Sequence, residues 1–178
     1  SDYARAPQIS LEPLDLHQIV QEVLDLYRGS DLNVQLQVQL EADDSRIEGD
    51  AGRMRQLLHN LLKNALEAIR DTDGAESRVA TRNDLRAGLR QMVLSVADNG
   101  PGFAPGIMDN LFEPYVSTKP KGSGLGLAIV KKIVEEHAGT ISAENPETGG
   151  AQVVIRLMLS SDASAGSQEE VPSVKSEL

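Results

Sequence analysis

Apolar residues along the chain change period several times, and each change marks an element. After Asp15, a residue type that caps helices, Leu16, Ile19, Val20, Val23 and Leu24 recur at spacings of three and four until Gly29. That spacing predicts an amphipathic helix. Val34, Leu36, Val38 and Leu40 then alternate with polar residues, the pattern of a half-buried strand, and a short strand is expected at residues 46–48. Residues 50–69 read as a long helix with Met54, Leu57, Leu58, Leu61, Leu62, Leu66 and Ile69 on its buried side. Two strands joined by a polar loop are expected at 78–82 and 91–97.

Residues 100–126 form a connection rich in Gly and Pro, broken by a short apolar piece at 107–112. So long a connection inside a domain is more often a functional lid than an idle loop. A second strong helix at 125–137 and strands at 140–143 and 152–159 complete the pattern. Helices and strands interleave while several strands are joined by hairpins. The expected fold is therefore α/β, an α+β two-layer sandwich with a mixed sheet and helices on one face. Residues 1–14 read as the remnant of a connection, 15–159 as the folded domain, and 160–178, rich in Ser, Glu and Ala, as a disordered tail.

Composition narrows the picture. The 178 residues suit one domain with a tail, and 40% hydrophobic residues suffice for a core. With 3% aromatic residues and no Trp, that core must be aliphatic. The absence of Cys excludes disulfides and thiolate zinc sites. No apolar run approaches the roughly 20 residues that span a bilayer, and no signal peptide opens the chain, so a soluble, intracellular domain is expected. A net charge of −10 argues against a general nucleic-acid binder. An anionic ligand would need a local device: backbone amides, a metal ion or a few lysines.

Three clusters supply such devices. Asn60-Leu61-Leu62-Lys63-Asn64 places two carboxamides on one face of the long helix. Neutral amide oxygens suit a magnesium ion whose charge is already balanced by a triphosphate, although locally bonded asparagines would read the same way. Asp98-Asn99-Gly100-Pro101-Gly102-Phe103 closes an apolar strand. A carboxylate there can accept a hydrogen bond from the exocyclic amine of adenine and disfavours guanine, which presents a carbonyl. A plain Asp-Asn-Gly turn is the alternative. Lys119-Pro120-Lys121-Gly122-Ser123-Gly124-Leu125-Gly126-Leu127 runs into a helix, where exposed amides and the helix dipole favour an anion. Leu127 and Ile129 stand where a dinucleotide-binding glycine motif needs a small residue, and no Gly-Lys-Ser or Gly-Lys-Thr closes the loop. Neither His-Arg-Asp nor Asp-Phe-Gly occurs, which excludes the eukaryotic-type kinase set.

In this order the clusters resemble the GHKL ATPase superfamily, and within it the histidine kinases. Residues 60–64 match the N box, 98–102 the first glycine box and 122–126 the second. Phe112 falls at the F box, and Thr148-Gly149-Gly150-Ala151 falls near the C-terminal glycine pair. The resemblance implies a Bergerat-type sandwich with a mobile ATP lid and with ATP and Mg2+ as cofactors. It implies Asn60 and Asn64 as the catalytic pair, Asn64 as the metal ligand and Asp98 as the adenine contact. Its ATP-binding set is Asn60, Lys63, Asn64, Asp98, Gly100, Gly102, Lys119, Lys121, Gly122, Ser123, Gly124, Leu125, Gly126 and Thr148. Ser117-Thr118-Lys119 with its glycines, and Asn64-Ala65-Leu66-Glu67-Ala68, resemble the nitrogen-regulation sensor kinases of the NtrY and NtrB kind. Glu67 and Ala68 stand where many histidine kinases have Lys and Tyr, so those two contacts do not carry over.

None of the three histidines suits a phosphoacceptor. His17 is followed by Gln-Ile-Val, His59 adjoins the amide motif, and His137 ends a helix. The resemblance therefore implies phosphotransfer to a histidine on a separate dimerisation and phosphotransfer domain of a parent kinase, to which residues 1–14 would connect. A response regulator would be reached through that domain. The isolated domain is expected to be a cytoplasmic monomer with slow hydrolysis, and the parent to be anchored in the inner membrane. A serine kinase of anti-sigma type and a nucleotide-gated interaction module are the alternative functions. Phosphorylation of a small protein on serine would mark the first, and large additional domains the second.

Overall fold

In the computed structural model, residues 8–29, 33–115 and 126–160 are described. Their elements are β1 (Glu12–Asp15), α1 (Leu16–Arg28), β2 (Gln35–Leu40), β3 (Arg46–Gly49) and α2 (Ala51–Ala68), followed by β4 (Glu76–Arg86) and β5 (Leu89–Asp98). A 3-10 turn (Pro105–Asn110), α3 (Gly126–Glu136), β6 (Thr140–Glu144) and β7 (Ala151–Met158) complete the order. β2, β4, β5, β7 and β6 form one open sheet in that spatial order, with β2 parallel to β4 and the other pairs antiparallel. The helices cover one face, as the pattern of the sequence predicts. β1 and β3 form a separate antiparallel ribbon.

The helix ends follow local chemistry. The Asp15 carboxylate accepts the His17 N–H at 3.0 Å and opens α1, while the Gly29 N–H donates to the Tyr27 carbonyl and closes it. Asp50 caps α2 in the same way, accepting the Arg53 N–H at 3.1 Å. All five apolar residues predicted for α1 are buried. On α2, Leu66 is only half-buried, and Ala65 is the buried residue of that turn.

The polar loop expected between residues 82 and 91 is mostly strand. β4 and β5 pair as far as Arg86 and Leu89, leaving only Ala87 and Gly88 in the turn, with φ of 52° and 78°. Positive φ at both positions gives the hairpin geometry that matches strand twist. Asn83 and Asp84 are polar because they have tertiary partners. The Asn83 amide bonds the backbone of Asp44, and the Asp84 carboxylate meets Arg156 at 2.7 Å and Arg82 at 3.3 Å.

The core is aliphatic, as composition requires. Val79, Met92, Leu94, Val96, Val153, Ile155 and Leu157 of the sheet form one cluster with the buried residues of the three helices. Tyr27 and Phe103 lie at its margin.

Candidate functional site

A cavity of about 240 Å³ opens between the C-terminal half of α2 and the ends of β5 and β7. Leu61, Asn64, Ala65, Glu67 and Ala68 of α2 form one wall, and Val96 and Asp98 of β5 with Ala151, Gln152 and Val153 of β7 form the floor. Pro101, Gly102, Phe103, Ala104 and Ile107 close the remaining side. Small aliphatic groups dominate this lining, with a few polar side chains converging on it, the usual make-up of a small-molecule site.

Asp98 ends β5 between Ser77 of β4 and Ala151 of β7. Its Oδ1 accepts the Gly100 N–H at 2.9 Å, which starts the turn that follows. Asn99 is a structural residue: its Oδ1 accepts the Glu76 N–H and its Nδ2 donates to the Gly74 carbonyl, both at 2.8 Å. Gly100 packs on the end of α2, where a Cβ would stand 2.9 Å from the Ala68 carbonyl oxygen. Gly102 has φ of +81°, and Gly150, with φ of +77°, lies so close to Asp98 that a Cβ would collide with the Asp98 carbonyl oxygen. The turn after β5 and the turn before β7 are thus in backbone contact.

Asn64, Asp98 and Gly102 of the predicted set line this one cavity. Asn60 lies one helical turn before Asn64, with its Nδ2 buried and without a hydrogen-bond partner. Lys63 is exposed, one step off that face. Gly100 stands behind the cavity wall. Gly126 opens α3 and Thr148 is exposed in the turn between β6 and β7; neither lines the cavity. Lys119, Lys121, Gly122, Ser123, Gly124 and Leu125 lie outside the described residues. Ala104, Ile107 and Gln152, which belong to none of the sequence motifs, also line the cavity. Glu67, which departs from the family pattern, lines it too, and its place three residues after Asn64 puts it on a neighbouring strip of the helix.

The residues present fit a magnesium nucleotide. Among the described residues no cluster of three His, Asp or Glu side chains could cage a metal alone. One amide ligand suits an ion that arrives with phosphate oxygens and keeps several waters. The unpartnered Asn60 Nδ2 is a donor that a phosphate oxygen or a water would satisfy.

The histidines have other tasks. His17 Nε2 bonds Thr81 Oγ1 at 2.7 Å, and His137 is bonded between Ile133 and Asp50. His59 Nδ1 meets the Tyr27 hydroxyl at 3.2 Å, tying α2 to α1; burial raises the pKa of that phenol. No helix of the described residues is long and apolar enough to cross a membrane.

Residues 49–161 match the family described as histidine kinase-, DNA gyrase B-, and HSP90-like ATPase. The putative sensor histidine kinase NtrY-like of Rickettsia bellii is 34% identical over 157 residues, covering 88% of this chain and 25% of that protein. Sensor histidine kinase ZraS of Escherichia coli K12 is 33% identical over 159 residues, covering 88% of this chain and 33% of its own length. The chain therefore spans only a quarter to a third of these relatives. The solved catalytic domain of histidine kinase ThkA superposes with a TM-score of 0.70 at 28% identity, covering 84% of this chain and 95% of that one. Similarity spreads over NtrY-like and ZraS kinases without singling out one branch. Together with the open mixed sheet and the site at its strand ends, these matches establish that the chain belongs to the histidine kinase-, DNA gyrase B- and HSP90-like ATPase family, as a catalytic domain of the histidine-kinase type.

Proposed function

We infer that this domain binds ATP with magnesium and donates the γ-phosphoryl group to a histidine on a separate dimerisation domain of its parent kinase, from which a response regulator is served. The observation that carries the reading is that Asn64 of α2 and Asp98 of β5, 34 positions apart in sequence, line one cavity. In this reading Asp98 recognises the adenine amine, and the apolar floor of Val96, Ala151 and Val153 receives the base. Asn64 holds the magnesium ion, which when bound offsets charge on the phosphates. Asn60 contributes a donor beside it. The parent belongs to the NtrY-like and ZraS-like sensor kinases.

Calorimetric titration with a non-hydrolysable ATP analogue, with and without magnesium and with GTP as control, tests this directly. Selective, magnesium-dependent binding of the adenine nucleotide is expected, and Asn64→Ala should remove the metal dependence. Equal binding of GTP, or an Asn64→Ala protein with an unchanged metal response, would count against these assignments. Phosphotransfer to an added dimerisation domain then tests the kinase step.

A further inference from the structure

Three asparagines grip backbone with both ends of the amide. Asn83 accepts the Asp44 N–H at 2.9 Å and donates to the Asp44 carbonyl at 2.8 Å, near the hairpin end of β4. Asn99 spans Glu76 and Gly74. Asn145, just after β6, accepts the Phe103 N–H at 2.8 Å and donates to the Phe103 carbonyl at 2.8 Å. Phe103 lies past the end of β5 and before the 3-10 turn, where no sheet ladder holds the chain. Yet Gly102, Phe103 and Ala104 form a wall of the cavity.

We propose that Asn145 is a positioning residue for nucleotide binding, fixing the wall formed by residues 102–104 against the turn between β6 and β7. This rests on the nucleotide reading above. The glycines on either side support it. A Cβ at Gly102 would stand 2.9 Å from both Asn145 Oδ1 and the Gly150 carbonyl oxygen, so a side chain there would push the amide away. Gly149 and Gly150, with φ of +101° and +77°, return the chain from Asn145 to β7 beside Asp98. Asn145 thus closes a ring of contacts that runs from Asp98 through Gly102 and Phe103 to Gly150. A wall held in place before the ligand arrives does not have to be ordered by it, and that ordering would oppose binding.

The test compares Asn145→Ala and Asn145→Ser with Asn83→Ala, which removes the same kind of clamp far from the cavity. Calorimetry gives Kd for the ATP analogue and for ADP, and thermal unfolding gives Tm. Asn145→Ala should weaken both nucleotides about tenfold and to the same extent, since the wall adjoins Asp98 at the base end. Asn145→Ser keeps one of the two bonds and should fall between. Asn83→Ala should lower Tm comparably while Kd stays within about twofold of the wild type. An Asn145→Ala protein within about twofold of wild-type affinity overturns the role of Asn145, as does equal weakening by Asn83→Ala. If Asn145→Ala does not fold, Asn145→Ser decides by the same criterion. A folded wild type that binds neither nucleotide overturns the nucleotide reading and this inference with it; a binding wild type with an indifferent Asn145→Ala overturns this inference alone.

Discussion

His137 Nε2, just past the end of α3, accepts the backbone N–H of Asp50, the cap residue of α2, at 3.0 Å. Its Nδ1 must therefore carry the proton, which it donates to the Ile133 carbonyl oxygen at 2.7 Å. One neutral imidazole joins the end of one helix to the start of another, beside an ion pair between Arg53 and Glu136. His137→Ala should leave the Asp50 N–H without its partner and cost about 2 kcal/mol of stability. Urea unfolding measures this; an unchanged midpoint would mean the bond has no weight.

Asp50 itself makes stability depend on pH. The Ser10 N–H first, then the Arg53 N–H, hold its carboxyl pKa below the ordinary value. Because the folded pKa is the lower one, the contribution is complete above about pH 4 and is lost as pH falls through the folded value. Asp50→Asn cannot titrate there. The stability difference between wild type and this variant should shrink steadily as pH drops below about 4. Unfolding free energies that stay parallel over that range would rule out the carboxylate as the cause.

Asp98→Asn tests the base contact. If the amide oxygen keeps the Gly100 N–H, the amide NH2 replaces the second carboxylate oxygen, and a donor then faces the adenine amine. ATP affinity should fall by about a hundredfold or more in a protein that remains folded. Retained affinity would remove Asp98 from the recognition scheme.

Two glycines with positive φ should respond differently to alanine. At Gly74, with φ of +63°, a Cβ meets nothing within 4 Å, so only the backbone penalty of about 1 kcal/mol applies. At Gly150 the Cβ would collide with the Asp98 carbonyl oxygen, and the cost should reach about 3 kcal/mol or more, with nucleotide affinity lost as well. Equal costs in chemical denaturation would show that the turn yields freely.

Much of this was legible in order and kind. α1 carries its cap, its apolar stripe and its closing glycine in one continuous segment, so local rules sufficed. β1 leaves no mark in the pattern, because Glu12-Pro13-Leu14-Asp15 has no alternation and owes its form to pairing with β3. The far half of the β4–β5 hairpin looks like loop in sequence because Asn83 and Asp84 are turn-type residues, and their polar character is explained only by Asp44 and Arg156 beside them. The site divides in the same way. Asn64 and Asp98 stand in motifs, whereas Asn145 reads only as the start of an Asn-Pro turn. Its partner, Phe103, is 42 residues away.

The contact between Gly150 and Asp98 also bears on how the domain is assembled. β5 is the middle strand of its sheet, yet the neighbour that completes it beside Asp98 is β7, which lies at the end of the fold in chain order. A chain emerging from the ribosome can form both helices α1 and α2 and the β4–β5 hairpin while the part of the cavity floor that β7 supplies is still missing. Nucleotide therefore cannot help the early half of the domain to fold. It can only reward the last strand once that has docked, which makes the ligand a selector of finished molecules rather than a template for unfinished ones.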